Sequence, residues 1–273
     1  MIEIEGKNVD TLQEDWHILI ILDACRYDMF KKVYKDILVK DGILREARTN
    51  SAGTKEWMRN NFLGRDCSNI IYIDPIIMFD MFLPGHNFFK VDKVWKTRWD
   101  YEYGTIIPKD MTDSAMKQIE KHPKKRFIIH YHQPHPPYLL AEFKGIDTIV
   151  TPELVQKNIR ENKTDNRDIN CLIQGNMRKI FGAERTWNLL IRLGISPRDG
   201  MGKIYKTHSM EGIVRGYTEN LKMVLKDVNR LIKSYNGKIV ITSDHSKNFD
   251  GSTKGLRDQY VPWLELNGEI YEK

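Results

Sequence analysis

Residues 18–28 read ILIILDACRYD: five apolar residues in a row, from Ile18 to Leu22, then Asp23, Ala24, Cys25, Arg26, Tyr27 and Asp28. A short, continuous apolar run rich in β-branched side chains is the pattern of a strand buried on both faces; a half-exposed strand would alternate apolar with polar. Strands of that kind belong to sheets covered by helices on both sides. Such sheets bind ligands beyond the carboxyl ends of their strands. Asp23 stands at that end. A carboxylate there is a metal ligand, a catalytic group or the cap of the next helix, and one strand alone does not choose among them.

Residues 238–245, KIVITSDH, repeat the grammar. Ile239, Val240 and Ile241 form a second buried run, and Asp244 and His245 follow it. Two buried strands then deliver carboxylates to one sheet edge, one with an adjacent imidazole. Carboxylate plus imidazole suits Zn, Mn or Fe. The alternative is two polar residues leaving a strand for a loop.

The chain has 273 residues, enough for one large α/β domain or two small ones. Its net charge of +6 is compatible with an anionic substrate or with nucleic acid. Cys25, Cys67 and Cys171 form no C-x-x-C pair, which argues against a disulfide framework or a cysteine zinc site. MIEIEGKNVD lacks the basic and long apolar regions of a signal peptide, and no apolar run approaches the ~20 residues of a membrane helix. The expected compartment is the cytoplasm, with a peripheral position at a membrane left open.

Residues before Trp16 read as a polar lead-in. Residues 29–38 carry Phe30, Val33, Tyr34 and Ile37 at helical spacing. A short strand over residues 43–47 leads to TNSAGTKEWMRNNF, residues 49–62. Asn50, Ser51 and Gly53 make a turn there, and Thr54 opens a helix with Trp57, Met58 and Phe62 inward. A hydroxyl at a helix start faces unpaired N–H groups, a natural phosphate or sulfate site; Thr54 or Ser51 as a plain N-cap is the alternative. Residues 70–73 are a further strand. Residues 76–107 are irregular and aromatic, with Trp95, Trp99, Tyr101 and Tyr103 as packing residues or as cleft lining. Residues 111–120 form a helix capped by Asp110.

The strand over residues 127–131 runs into HQPHPPY, where His130, His132 and His135 gather on a path stiffened by Pro134, Pro136 and Pro137. A rigid loop of histidines at a sheet edge suits phosphate recognition or leaving-group protonation. Residues 142–206 read as an insertion or cap with a solvated, charged face. A long helix over residues 208–235 and a last strand over residues 260–266 close the chain, with Pro262 placing that strand at an edge or Pro262 at its start.

Taken together, ILDACRYD, the Ser/Thr turn before a helix, HQPHPPY and VITSDH resemble the alkaline phosphatase superfamily. Within it they are most similar to the sulfatase-like and lipoteichoic-acid-synthase-like branch, in particular its "DACRYD" proteins. The resemblance covers most of the core in the expected order but not residues 142–206. It implies a three-layer α/β/α sandwich with a central, mostly parallel sheet, all of residues 1–273 forming one domain. It also implies one divalent metal ion (Mn, Zn, Mg or Ca) held by Asp23, Asp244, His245 and a nucleophilic hydroxyl, Thr54 with Ser51 in reserve. His135 and Arg26 then stand as further catalytic groups, and His132, Ser51 and Lys55 as substrate contacts.

Three departures from the family pattern stand out. Cys25 lies outside the C/S-x-P/A-x-R motif of true sulfatases. Ser246, Lys247 and Asn248 follow Asp-His where Gly is usual. Residues 250–256 lack the Gly-His that helps hold a second metal. The expected function is a metal-dependent hydrolase or transferase acting on a phosphate, less readily a sulfate, ester. The partner is then an anionic small molecule, glycan or lipid-headgroup ester. One rival is a degenerate member that binds such a group without turnover. The other is a basic nucleic-acid-binding protein, for which only residues 121–126 offer a basic cluster. The metal reading requires Asp23 and Asp244 to end on one sheet edge with side chains converging.

Overall fold

Residues 18–22 and 239–242 lie side by side as parallel strands, paired from Ile18 with Ile239 to Ile21 with Thr242, and every residue of both is buried. The computed structural model describes residues 2–5, 7–49, 51–146, 151–161, 169–197, 199–247, 249 and 260–266. Its strands are β1 (Ile2–Ile4), β2 (Lys7–Val9), β3 (Ile18–Leu22), β4 (Gly42–Thr49), β5 (Ile70–Asp74), β6 (Lys90–Lys93), β7 (Arg126–Tyr131), β8 (Ile239–Thr242) and β9 (Tyr260–Leu266). The helices are α1 (Tyr27–Ile37), α2 (Thr54–Phe62), α3 (Phe79–Phe82), α4 (Trp95–Arg98), α5 (Pro108–Lys121), α6 (Pro152–Arg160), α7 (Ile169–Phe181), α8 (Ala183–Arg192) and α9 (Gly200–Lys233).

All nine strands form one sheet, in the order β2-β1-β4-β9-β8-β3-β7-β5-β6. Side chains alternate across a strand, and β3 shows the consequence. Ile18, Ile20 and Leu22 join a core with residues of α1, α5 and α9, while Leu19 and Ile21 join another with Trp57, Met58 and Phe62 of α2. Helices therefore cover both faces, and the architecture is a three-layer α/β/α sandwich. The sheet is parallel only from β8 to β6; the pairings β8–β9, β9–β4, β4–β1 and β1–β2 are antiparallel. The expectation of a mostly parallel sheet is thus met in the centre and not on the β9 side.

Other differences have physical reasons. The lead-in forms the β1–β2 hairpin, whose short and partly polar strands give no clear apolar run. β6 was hidden by its charged sequence, KVDK, at the sheet margin. Helix α5 starts at Pro108, with Ile107 in the cap position; Asp110 lies in the first turn and is not the cap. β9 is interior, so Pro262 does not mark an edge strand. It pairs with Glu46 of β4, while β8 pairs only with Leu264, Glu265 and Leu266, so the strand is paired on one side at the proline. Helix α9 begins before residue 208 and carries a break at Ser209 (φ 59°). Arg126 of the basic connector is committed to the carbonyls of Leu12, Glu14 and Trp16. Among the described residues no helix is long and apolar enough to cross a membrane.

β5 ends in Asp74, which is fully buried; its Oδ1 accepts the Ile76 N–H at 2.7 Å, and its Oδ2 has no hydrogen-bond partner. Burial pushes this carboxyl well above its ordinary 3.8, against the opposing pull of the Ile76 N–H and Lys93. Folding therefore takes up a proton at pH values between the ordinary and the raised value. The stabilising effect is complete below the ordinary carboxylate range and is lost as pH rises through the raised value. Asp74→Asn keeps the acceptor and removes the ionisation, so at pH 7 it should unfold at a higher urea concentration than the parent. That advantage should shrink toward zero as the pH is brought to about 4.

Candidate functional site

The parallel pairing of β8, β3 and β7 brings their carboxyl ends to one edge: Leu22 lies opposite Tyr131, and Ile21 opposite both Thr242 and His130. Asp23, His132, Asp244 and His245 follow directly. The turn after β3 is held tightly. Ala24 has φ 59°, left-handed backbone that costs a non-glycine residue. Its N–H donates to Asp244 Oδ1 (3.1 Å), its carbonyl accepts the Tyr217 hydroxyl (2.9 Å), and the Cys25 N–H donates to Ser243 Oγ (2.8 Å). The Tyr217 oxygen also accepts the Arg26 N–H at 2.8 Å. The HQPHPPY loop, with cis peptide bonds at Gln133–Pro134 and Pro136–Pro137, is anchored to this turn by the His135 N–H on the Asp23 carbonyl (3.2 Å). Buried Asn220 of α9 grips it from the other side. It accepts the Leu139 N–H and donates to the carbonyls of His135 and Pro137.

Three elements meet at Asp244, which is fully buried. Its Oδ1 accepts the Ala24 and His245 N–H groups, and its Oδ2 accepts the Thr54 hydroxyl at 2.7 Å from the first turn of α2. His245 Nε2 lies 3.3 Å from Asp23 Oδ1 and 3.7 Å from Asp244 Oδ2. His132 Nδ1 is 3.7 Å from Asp23 Oδ2, and His130 Nε2 is 3.9 Å from Asp244 Oδ2. Asp23, Asp244 and His245 thus converge from two strand ends.

The imidazoles are oriented by what holds their other nitrogen. His132 Nε2 (3.2 Å) and His135 Nδ1 (2.6 Å) meet the Pro136 carbonyl, and His245 Nδ1 meets the Ser246 carbonyl at 3.2 Å. A carbonyl only accepts, so each of those nitrogens carries a proton. The remaining nitrogens of His132 and His245 each face a carboxylate, an arrangement that is stable only with a proton or a cation between the two. His130 Nδ1 rests on the Tyr72 hydroxyl (2.8 Å), and its Nε2 and Asp23 Oδ1 are buried without a hydrogen-bond partner.

The electrostatics agree. Burial works against a charge on His245, but Asp244 and Asp23 hold its pKa up to about 9. Burial pushes His135 down to about 3 and lowers His130. Burial also works against the charge of Asp23, yet the carboxyl is held far below its ordinary value by the neighbouring imidazoles of His135, His245 and His132.

These residues fit a divalent cation. The ligand atoms of Asp23, His130 and Asp244 lie within 4.8 Å of one another, as do those of Asp23, His132 and His135. Carboxylate oxygens and outward-braced imidazoles are the donor set of Zn or Mn. Sequence reasoning groups His130 with the loop histidines and does not make it a metal ligand. Its signal was a histidine inside an otherwise apolar strand, FIIHY, where burial demands a polar partner.

Not every expected residue reaches the site. Arg26 pairs with Asp28 (2.9 Å) and lies over the Phe249 ring (5.1 Å), away from the cavity wall. Ser51 is buried, with Asn60 Nδ2 3.4 Å from its hydroxyl, and Thr54 is the hydroxyl that reaches Asp244. Lys55 is exposed at the cavity rim. Asn50, Asn248 and residues 250–256 lie outside the described residues. The cavity encloses about 960 Å³. Its floor is polar, with Asp23, Thr54, His132, His135 and His245, and its walls are largely apolar, including Ile76, Met78, Phe82, Trp99, Tyr138 and Phe143. Of the four aromatic cleft candidates, Trp99 and Tyr103 line it; Trp95 packs into the core and Tyr101 is exposed.

No protein-family model matches the chain, and no curated protein matches it in sequence. Solved structures do match. A protein in the alkaline phosphatase superfamily from Vibrio parahaemolyticus aligns with a TM-score of 0.51 at 11% identity, over 95% of this chain and 62% of that one. A candidate sulfatase of Bacteroides thetaiotaomicron aligns at 0.49 and 14%, over 93% and 65%. The C-terminal periplasmic domain of EcEptC from Escherichia coli, in complex with Zn, aligns at 0.42 and 13%, over 98% and 76%. The chain thus spans less than two thirds of the first two proteins. On the Vibrio parahaemolyticus match, the fold is that of the alkaline phosphatase superfamily.

The Tyr217 hydroxyl satisfies two backbone groups of the strained turn, the Ala24 carbonyl and the Arg26 N–H. Tyr217→Phe should therefore lower stability by about 1–3 kcal/mol, the cost of stranding buried polar groups. Equilibrium urea unfolding measures this, and an unchanged midpoint would show that the turn does not depend on that hydroxyl.

Proposed function

We propose that this chain is a metal-dependent hydrolase or transferase of phosphate esters, with Thr54 as the nucleophile. The observation that carries the reading is the Thr54 hydroxyl, 2.7 Å from Asp244 Oδ2, at the start of a helix and beside the Asp23–His245 pair. Asp23, Asp244, His245 and Thr54 would hold the ion, with Zn or Mn favoured by the mixed carboxylate and imidazole donors. When bound, such an ion supplies a Lewis acid that makes a neighbouring hydroxyl more acidic.

The chain's own groups account for the rest. Trp57, Met58 and Phe62 are buried and fix α2 against the core, so Thr54 is held where a nucleophile must be. The Asp244 carboxylate orients the hydroxyl by accepting its proton in a hydrogen bond. The first N–H groups of α2 have no partner within the helix and face an anion's oxygens favourably. Thr54 gives up its proton along its hydrogen bond to Asp244 Oδ2 as the Oγ1–phosphorus bond forms and the ester P–O bond breaks, the leaving oxygen taking a proton from water; water or an acceptor alcohol then attacks phosphorus, breaks the Oγ1–phosphorus bond and leaves the proton on Oγ1. His135 is neutral at pH 7 and presents Nε2 as an acceptor. It suits binding of a hydroxyl or a cation better than the leaving-group protonation expected from its sequence position. The apolar walls favour an ester whose alcohol part is itself apolar.

Steady-state kinetics with phosphomonoester, phosphodiester and sulfate-ester substrates tests the nucleophile. Thr54→Ala should reduce kcat to the rate without enzyme, and Ser51→Ala should leave it unchanged. Full activity in both would leave the mechanism without its nucleophile. Phosphate binding with no turnover of any ester would instead favour a non-catalytic member.

Metal binding is tested separately. Chelator-treated protein should gain thermal stability when Zn or Mn is added in excess, because a ligand bound only by the folded state raises Tm. Asp244→Asn should abolish that gain. An equal gain in the variant would place the ion elsewhere.

A further inference from the structure

Residues 151–206 carry eleven Lys and Arg against six Asp and Glu, a surplus of five within a chain whose whole net charge is +6. Sequence reasoning expects such a segment to present a solvated, charged face. The structure shows something else. Thirteen large hydrophobic side chains are exposed among the described residues, and seven of them lie here: Leu154, Ile173, Ile180, Phe181, Leu189, Leu193 and Ile195.

Their placement is ordered. Helix α8 buries Ala183, Thr186, Trp187 and Leu190, with the Trp187 Nε1 on Asp199 at 3.2 Å. Its opposite face exposes Arg185, Leu189, Arg192 and Leu193, at spacings of four, seven and eight residues, so cations and aliphatic side chains share one stripe. Exposed Ile195 continues the stripe beyond the helix end. In α7, Ile173, Ile180 and Phe181 have the same spacing, and Ile180 and Leu193 are 71% and 64% exposed. Gly182, with φ 84°, joins the two helices directly.

We propose that this face docks on an anionic lipid bilayer. Aliphatic groups and arginines on one helical stripe gain from a bilayer surface together, the first by leaving water and the second by the negative surface potential. A second copy of the chain fits poorly, because it would present the same surplus of positive charge. Nucleic acid would reward the cations but not the aliphatic side chains; it stacks on aromatic rings, and Phe181 is the sole aromatic among these seven exposed side chains. The segment also supplies Val155, Asp199 and Gly200 to the cavity wall, so docking holds the cavity near the lipid. The inference does not depend on Thr54 chemistry, and its test needs no turnover.

The test is sedimentation of the full chain with vesicles of phosphatidylcholine and phosphatidylglycerol in equal parts, beside vesicles of phosphatidylcholine alone. Binding is expected to the anionic vesicles only, and to weaken with salt. At roughly fivefold in affinity per basic residue, Arg185→Glu with Arg192→Glu should lower the partition coefficient by about 25-fold or more. Ile180→Ser with Phe181→Ser should also weaken it. Lys121→Glu with Lys124→Glu, outside the segment, should leave it within about twofold of the parent if the surface rather than total charge decides. Circular dichroism of each variant establishes that it is folded. The proposal is overturned by absence of binding to the anionic vesicles, or by an equal loss in the Lys121/Lys124 variant. It is also overturned if sedimentation equilibrium shows a dimer that the same Ile180/Phe181 change dissociates.

Discussion

The buried carboxylate of Asp244 is the constraint on which the site depends. A carboxylate removed from water is costly unless its lone pairs are used. Here they accept two backbone N–H groups, from Ala24 and His245, and the Thr54 hydroxyl. Each donor belongs to a different piece of chain: the turn after β3, the turn after β8 and the start of α2. Satisfying one charge therefore sets the positions of three elements, and it does so at the edge where the sheet delivers its other polar side chains. The Thr49 hydroxyl adds a fourth tie by donating to the Asp244 carbonyl at 3.0 Å.

Helix α9 supplies the counterpart from behind. Gly216 and Tyr217 are adjacent, and Asn220 lies one turn further along the same helix. A Cβ at Gly216 would lie 2.3 Å from the Tyr138 ring, so the absence of a side chain lets the HQPHPPY loop approach the helix. Tyr217 holds the left-handed Ala24 turn, and Asn220 takes up the backbone groups that a proline-rich loop cannot pair with itself. The energetic cost of an unusual turn and a stiff loop is thus offset by a helix whose remaining inward residues, from Leu221 to Ile232, are ordinary apolar core. One element secures both halves of the site, and its own place is secured by packing, by Asn229 on the Val39 N–H and by the Arg230–Asp113 ion pair.

That division explains what could be read from the sequence. β3 and β8 are legible because burial on both faces demands unbroken apolar runs, β7 because only His130 interrupts the apolar run FIIHY, and Asp23, Asp244 and His245 because they follow the runs of β3 and β8. Trp57, Met58 and Phe62 announced the inward face of α2 by spacing. What escaped lacks such a signal. β6 is charged, and β1 and β2 are three residues each, so neither gives a periodicity. The interior position of β9 was masked by Pro262, whose restriction is lifted because β8 does not pair beside it. His130 looked like one of several clustered histidines; only its burial beside Asp244 and Tyr72 gives it a part. Arg26 is the opposite case. Its nearest carboxylate, Asp28, is two residues away in the same turn, and a local pair of that kind is not encoded by distance along a motif.

The antiparallel half of the sheet, at first sight an irrelevance to a site at the ends of parallel strands, is what brings Thr54 there. β9 runs opposite to β8, and β4 runs opposite to β9, so β4 points the same way as β8 and β3. Two reversals restore the direction. β4 therefore ends at the same edge as β3 and β8, and its continuation, the turn before α2, opens there. Had one antiparallel strand been added or lost between β4 and β8, α2 would begin at the opposite edge, far from Asp244, with the same local sequence. With strands about 4.8 Å apart, β4 and β3 stand roughly 14 Å from each other. The short segment from Thr49 to Thr54 has to recover part of that distance. Thr49 and Thr54 are bound to the main chain and the side chain of the same residue, Asp244, and so the segment is fixed at both ends. The position of the candidate nucleophile is in this sense a property of sheet topology first and of the local turn second.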